Sequence, residues 1–217
     1  MPLARLPSSG FEVSLIAAQY RSSALYPWFV ELNQRVSMLH ADVLALLYHF
    51  GRYAGAPVLE LGAFTGGSAI ALARGLAEAG AGCKVVSVDA GGAYDHERFA
   101  TPDIVAAFHR NLEERSLAAH VRLVVGHSRE PAVVAEVARH GRFGCLLVDA
   151  DGLVEDDLAL YGALVLPGAL LVVDDYYSPG APEKEVTTRR QIDRLAARGL
   201  LEAFCVQGWG TWIGRFL

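Results

Sequence analysis

Short runs rich in valine and leucine alternate with helix-length segments along most of the chain. A parallel strand can pair with the next one only through a crossover, so this alternation predicts right-handed βαβ units and a parallel sheet. The runs predicted as strands are 58–61, 84–88, 121–125, 143–148 and 169–173. The segments predicted as helices are 39–53, 68–78, 103–115, 132–140, 155–164 and 184–198.

The end of the chain departs from this alternation. Residues 201–207 and 211–217 flank Gly208-Trp209-Gly210, a pattern typical of a β-hairpin at a sheet edge. Hydrophobic residues make up 53% of the chain, as expected for a sheet that is covered on both faces. We therefore predict a Rossmann-like α/β fold, with a seven-stranded, mostly parallel sheet, a C-terminal antiparallel hairpin and helices on both faces. We expect one domain over residues 38–217, preceded by a helical extension or lid at residues 1–37.

The charge and hydropathy of the chain argue against several classes of binding partner and location. The net charge is −5 and the sequence has no run of lysine and arginine, which argues against nucleic acid and anionic membranes as partners. Apolar stretches all fall short of the roughly 20 residues that span a bilayer, and residues 1–30 lack the order of a signal peptide. Three widely spaced cysteines argue against a disulfide framework. We expect a cytoplasmic protein that acts on a small molecule.

A glycine-rich turn follows the first predicted strand, at residues 60–68 (ELGAFTGGS). Gly62 allows a tight turn and close approach of a ligand, and Ser68 is placed to cap the next helix. The second strand ends at Asp89, an acid suited to a ribose diol. The spacing is GxxxGG, whereas a pyrophosphate site favours GxGxxG. This pattern predicts a nucleoside cofactor without a phosphate.

Aspartates follow the fourth and fifth predicted strands, as Asp149-Ala150-Asp151 and Asp174-Asp175. If these strands are neighbours, their carboxyl ends open onto one crevice, and the carboxylates would repel each other unless a cation lies between them. Oxygen ligands favour Mg²⁺ first, with Mn²⁺ or Ca²⁺ as substitutes. The alternative is that the aspartates only form turns and cap helices.

The segment VLELGAFTGGSAIALARGL at residues 58–76 closely resembles the first motif of the catechol and caffeoyl-CoA O-methyltransferases. These belong to the metal-dependent branch of class I methyltransferases that use S-adenosylmethionine (SAM), and the resemblance runs from about Met38 to the C-terminus. It implies that residues 38–217 form a SAM-dependent methyltransferase domain. It also implies a cofactor site made of Glu60, Gly62, Phe64 and Ser68 near the methionine part, Asp89 at the ribose, Ser128 at the adenine, and Asp149.

The same resemblance implies roles for the aspartates. Asp149, Asp174 and Asp175 match the metal-ligand positions of that branch, and the DxD…DDY pattern is most similar to antibiotic-sugar O-methyltransferases. In that group the residue at Asp151 is the general base, whereas the catechol branch has a lysine where this sequence has Gly152. The implied reaction is methyl transfer to a hydroxyl of a natural-product sugar or a phenolic compound. Members of the family often form homodimers or larger assemblies.

Other interpretations stay open. A metal-independent class I methyltransferase could act on nitrogen or oxygen, with structural aspartates. An NAD-type oxidoreductase and a non-catalytic protein with the same fold are further alternatives, against which the glycine spacing and the acidic residues argue. Around the acceptor, we predict Tyr176 and Tyr177 as lining residues, Trp209 and Trp212 as hairpin core, and residues 178–185 as a mobile loop.

Overall fold

A computed structural model describes residues 3–82, 84–177 and 182–217. The strands are β1 Val58–Leu61, β2 Val85–Asp89, β3 Val121–Val125, β4 Phe143–Val148, β5 Val165–Val173, β6 Leu201–Gln207 and β7 Thr211–Phe216. The helices are α1 Gly10–Arg21, α2 Tyr26–Arg35, α3 Ala41–Tyr53, α4 Gly67–Glu78, α5 Ile104–Glu113, α6 Pro131–Ala138, α7 Val154–Tyr161 and α8 Pro182–Ala197. Within these described residues, every helix is too short or too polar to cross a bilayer.

The strands form one seven-stranded sheet in the order β3-β2-β1-β4-β5-β7-β6. Strands β1 to β5 pair in parallel, and β7 pairs antiparallel with both β5 and β6. The predicted mostly parallel sheet with a terminal hairpin is therefore confirmed. The strand order reverses between β1 and β4, and in open α/β sheets this switch point is where a ligand crevice opens at the carboxyl ends of the strands.

Several element boundaries differ from the prediction by a few residues, and two of these differences have a clear structural cause. Strand β5 begins at Val165, four residues earlier than expected, because its pairing continues past a register shift opposite Phe143 and Cys145. Pro167-Gly168, which resembles a turn in the sequence, lies within this irregular stretch. Helix α8 begins at Pro182, so residues 182–185 of the predicted acceptor loop are helical, and residues 178–181 lie outside the described part of the chain.

The N-terminal helices are part of the main hydrophobic core. Helices α1 and α2 pack on α3, and Val13, Ile16, Phe29 and Leu32 are fully buried. The same core continues through α3 and α4 to the sheet. The helical character expected for residues 1–37 is thus present, while the division of the chain at residue 37 stays a prediction.

Candidate functional site

The glycine turn brings the ends of the two central strands together. Gly62 has φ +87°, and a Cβ atom there would lie 2.0 Å from the carbonyl oxygen of Asp149. The amide of Asp149 donates a 2.8 Å hydrogen bond to the carbonyl of Leu61. Any side chain at position 62 would push β1 and β4 apart, so this position requires glycine for both its conformation and its space.

Asp89 organises the same turn through its carboxylate. Its Oδ2 atom accepts hydrogen bonds from the amides of Ala63 (3.0 Å) and Phe64 (2.7 Å), and Oδ1 accepts one from the amide of Gly91 (2.8 Å). Phe64 has φ +47°, a conformation that non-glycine residues rarely adopt. The carboxylate therefore stabilises an uncommon backbone shape at the mouth of the crevice.

Two adjoining cavities open at the carboxyl ends of the strands. The smaller, of about 230 Å³, is lined by the ends of β2, β3 and β4, and we call it the nucleoside-side cavity after the predicted position of the cofactor. The larger, of about 660 Å³, is lined by the ends of β4 and β5 and by the segment before α3, and we call it the acceptor-side cavity after the predicted position of the acceptor. Both are lined by Gly62, Asp89, Asp149 and Ala150, so they form one continuous cleft at the switch point.

Glu60 lies behind the turn and is fully buried. It accepts hydrogen bonds from the hydroxyls of Ser87 (2.5 Å) and Ser68. The expectation that Ser68 caps α4 is wrong, because the N-cap is Gly66 and the Ser68 hydroxyl is directed to Glu60. Ser68 also lines a niche beside the cleft together with Phe64. The direct contacts of Glu60, Phe64 and Ser68 with a cofactor stay predictions.

Replacing Glu60 by glutamine should change how stability depends on pH. Burial raises the pKa of Glu60 to about 7, from about 4.3 in an unfolded chain. The folded protein therefore holds this proton more tightly, and the associated stability is present below about pH 4 and lost as the pH rises through 7. Between pH 5 and pH 8, we expect E60Q to lose less unfolding free energy than the unmodified chain, by roughly 2 kcal/mol. Urea denaturation at the two pH values measures this, and equal losses in both proteins would contradict the assignment.

The structure brings together the three predicted metal ligands. Asp149 follows β4, Asp174 and Asp175 follow β5, and each offers a carboxylate oxygen within 4.8 Å of the others. Burial and then the neighbouring Asp174 raise the pKa of Asp149 well above its usual range. Burial also raises the pKa of Asp174, against the effect of a hydrogen bond from the Thr211 hydroxyl. These carboxylates are held close to one another and to the cleft despite their mutual repulsion.

A lysine that the sequence reasoning missed lies among these carboxylates. Lys184, in the first turn of α8, places Nζ 3.3 Å from Oδ1 of Asp149 and 2.5 Å from Oδ2 of Asp175. Burial lowers the pKa of Lys184, but the two carboxylates outweigh that effect and raise it, so the side chain is an ammonium. The only signal in the sequence was its rarity, because the chain has just two lysines, Lys84 and Lys184.

Asp151, the predicted general base, lies in the wall of the nucleoside-side cavity. Its carboxylate pairs with both terminal nitrogens of Arg129, one of them at 3.0 Å, and this pairing lowers the pKa of Asp151. A lowered pKa makes a carboxylate a weaker base. Asp174 and Asp175 line the other cavity, and Asp151 has a different charged partner from the acidic cluster, so its catalytic role stays a prediction.

Ser128 lies in the same cavity wall, at the predicted adenine position. Its hydroxyl donates to Oδ1 of buried Asp157 at 3.1 Å, and its carbonyl accepts from the hydroxyl of Tyr161. Asp157 and Tyr161 both belong to α7, so that helix fixes the loop after β3. Sequence reasoning missed this support, because helical residues that face inward carry no distinctive motif.

Aromatic side chains line the acceptor-side cavity. Tyr177 and Trp209 are among them, each more than half exposed. The assignment of Trp209 to the hairpin core is wrong, because it lies in the turn between β6 and β7 and packs edge-on against His40 at 5.1 Å. Trp212 is buried as expected, while the hydroxyl of Tyr176 donates to Asp193 on α8 at 2.7 Å. Tyr94 and His96, from the loop after β2, complete this aromatic wall.

One protein-family model and several solved structures are similar to this chain. Residues 59–176, more than half of the chain, match a family model described as "Methyltransferase domain". Among solved structures, an O-methyltransferase from Bacillus cereus in complex with S-adenosylhomocysteine (SAH) is 21% identical, with 99% of this chain and 93% of that chain covered and a TM-score of 0.62. TomG from Streptomyces achromogenes, an O-methyltransferase involved in tomaymycin synthesis and solved with SAM, is 22% identical over 99% and 92%, with a TM-score of 0.62. The SAH-bound methyltransferase PaMTH1 from Podospora anserina is 14% identical over 98% of each chain, with a TM-score of 0.60. No curated protein has a significant match to the sequence.

Proposed function

The chain belongs to the methyltransferase domain family, and we propose that it transfers a methyl group from SAM to a hydroxyl of a small molecule with the help of a divalent metal ion. One observation carries this proposal. A single cleft joins the glycine turn and Asp89 on one side to the cluster of Asp149, Asp174 and Asp175 on the other. A cofactor and a metal-held acceptor would therefore meet at its centre.

The cofactor would lie across the ends of β1, β2 and β3. Asp89 uses three of its acceptor sites on backbone amides, and a carboxylate has about four, so a ribose hydroxyl can still donate to it. The adenine would occupy the nucleoside-side cavity beside Ser128, and the methionine part would extend past Gly62 toward Phe64 and Ser68. SAM and SAH bound to proteins of similar fold support the choice of cofactor.

The acidic cluster suits a hard cation. Its donors are carboxylate oxygens of three aspartates, and they lie close enough together to share one ion. Asp149, Asp174 and Asp175 would hold the metal, and the metal when bound supplies a Lewis acid that lowers the pKa of an acceptor hydroxyl. The three aspartates would fix the direction from which the acceptor oxygen approaches the methyl group. Their contribution to the rate would come mainly from this positioning.

The acceptor would occupy the larger cavity. Tyr94, Tyr177 and Trp209 give it flat apolar surfaces, while His40 and His96 add polar atoms. Both a phenolic ring and a sugar ring pack against such surfaces. We propose an acceptor of this kind with neighbouring oxygens, so that two of them can face the acidic cluster.

Mass spectrometry of reaction products tests this function. The protein is incubated with methyl-labelled SAM and a panel of catechols and sugars, in the presence of either Mg²⁺ or EDTA. We expect a labelled O-methyl product that depends on Mg²⁺. Equal product in EDTA would favour the metal-independent alternative, and a labelled N-methyl product from an amine panel would contradict the choice of oxygen.

The variant D151N distinguishes two roles for Asp151. If the carboxylate only pairs with Arg129 in the cofactor cavity, as the geometry favours, SAH affinity should fall by about two- to fivefold and kcat should change little, because exposed ion pairs contribute about 0.2–1 kcal/mol. Loss of a general base would instead lower kcat by about 10²–10⁴-fold. D156N, which changes an exposed acid on α7, is the matched control. A large loss of kcat in D151N alone would restore the sequence-based assignment.

A further inference from the structure

The ammonium group of Lys184 lies within the acidic cluster, at the position that a metal ion would need. Its Nζ atom contacts one carboxylate oxygen of Asp149, after β4, at 3.3 Å and one of Asp175, after β5, at 2.5 Å. Asp174, the third member, instead accepts a hydrogen bond from Thr211. The ammonium therefore engages two of the three ligands that a metal would need.

The fold provides a specific path for this side chain. Gly152, in the loop after β4, has φ +82°, and a Cβ atom there would lie 3.0 Å from Cγ of Lys184 and 2.9 Å from Oγ1 of Thr188. The absence of a side chain at position 152 lets α8 approach the loop and lets the lysine stem cross it toward the cluster. The Lys184 side chain is only 26% exposed, so its placement is a packed arrangement.

We propose that Lys184 is a tethered counter-cation that competes with the divalent metal for Asp149 and Asp175. The inference rests on the metal site of the proposed function and adds a residue that controls access to it. A metal ion held at about 2.0–2.6 Å by these carboxylates would lie within a few ångströms of the ammonium, and the two positive charges would repel each other. Metal binding therefore requires Lys184 to withdraw from both aspartates.

The charge of Lys184 affects the affinity of the cluster for a metal ion. The ammonium of Lys184 adds one positive charge to the cluster, which weakens the attraction between the carboxylates and a divalent ion. The lysine thus keeps the cluster stable without metal at the cost of metal affinity. Lys184 also lines the acceptor-side cavity, so its side chain adjoins open space into which it can move.

Mn²⁺ binding measures the competition directly. The free Mn²⁺ signal is followed by electron paramagnetic resonance in the presence of SAH, for the unmodified chain, K184M and K84M. Methionine keeps the length of the stem and removes the charge. Lys84 is exposed just before β2, at the amino ends of the parallel strands and away from the cleft, and is the matched control.

We expect K184M to bind Mn²⁺ at least about tenfold more tightly than the unmodified chain, because one competing unit charge has been removed, and K84M to bind like the unmodified chain. Equal or weaker binding by K184M would overturn the proposal, and so would an absence of binding by a K184M protein that still binds SAH. Methyl transfer is measured separately, so a chain that shows the competition but no turnover would lose the proposed function and keep this inference.

A second measurement uses the unmodified chain and does not depend on a variant. Lysines are modified with an amine-reactive ester and quantified by mass spectrometry, with Lys84 as the internal reference. We expect Lys184 to be protected without metal and its modification relative to Lys84 to rise when Mn²⁺ is added. An unchanged ratio under conditions where Mn²⁺ is bound would overturn the proposal.

Discussion

The variant D174A should lose at least about 100-fold in affinity for Mg²⁺ or Mn²⁺, since even outer-shell partners of metal ligands cost about 10–100-fold when they are removed. Among the proposed ligands Asp174 is the one to change because it lines the acceptor-side cavity, whereas Asp149 also lines the nucleoside-side cavity. Metal-dependent methyl transfer should fall to a similar extent. SAH binding should persist, because the glycine turn and Asp89 are untouched.

D156A is the control for this experiment, because it removes an exposed aspartate on α7. It should bind metal and SAH like the unmodified chain. Metal affinity that is unchanged in D174A would refute the acidic cluster as the metal site. Loss of SAH binding together with metal binding would indicate a general loss of structure, which a thermal denaturation curve detects.

The variant D89N should weaken SAH binding on the order of 100-fold, because a hydrogen bond to a charged group contributes about 1.5–3 kcal/mol and several are affected. The carboxylate accepts hydrogen bonds from the amides of Ala63, Phe64 and Gly91. An asparagine has one acceptor oxygen, so its NH₂ group would face an amide donor on one side. The turn would lose its shape, and the ribose would lose its acceptor.

D95N provides the comparison, because Asp95 is an exposed acid in the loop that follows β2. It should bind SAH like the unmodified chain. Isothermal titration measures the SAH affinity of both variants. The Mn²⁺ affinity of D89N should stay within a small factor of that of the unmodified chain. An SAH affinity in D89N equal to that of D95N would contradict the assignment of Asp89 to the cofactor.

The order of the helices and strands was predictable because it follows from the hydrophobic periodicity of the sequence. The alternation of buried runs and amphipathic segments fixed the order of the elements, and the hairpin around Gly208-Trp209-Gly210 was visible as a turn between two strands. The start of β5 was not, since Pro167-Gly168 is typical of a turn and only the pairing with β4 extends the strand past it. Tertiary pairing here outweighs local preference.

The site was predictable where backbone topology alone positions a residue. Asp149 and Asp174 follow adjacent parallel strands, so their meeting follows from the sheet order. Lys184 reaches the cluster only because α8 packs over Gly152, which no local pattern reveals. The direction of Asp151 likewise depends on Arg129, a residue 22 positions away that shares no motif with it.

Isothermal titration of the unmodified protein with SAH, and separately with NAD, tests whether the cleft binds SAM. We expect saturable, one-to-one binding of SAH that is much weaker in D89N, and no comparable binding of NAD. Absence of SAH binding both in Mg²⁺ and in EDTA would contradict a SAM-dependent activity, and binding of NAD in its place would favour the oxidoreductase alternative.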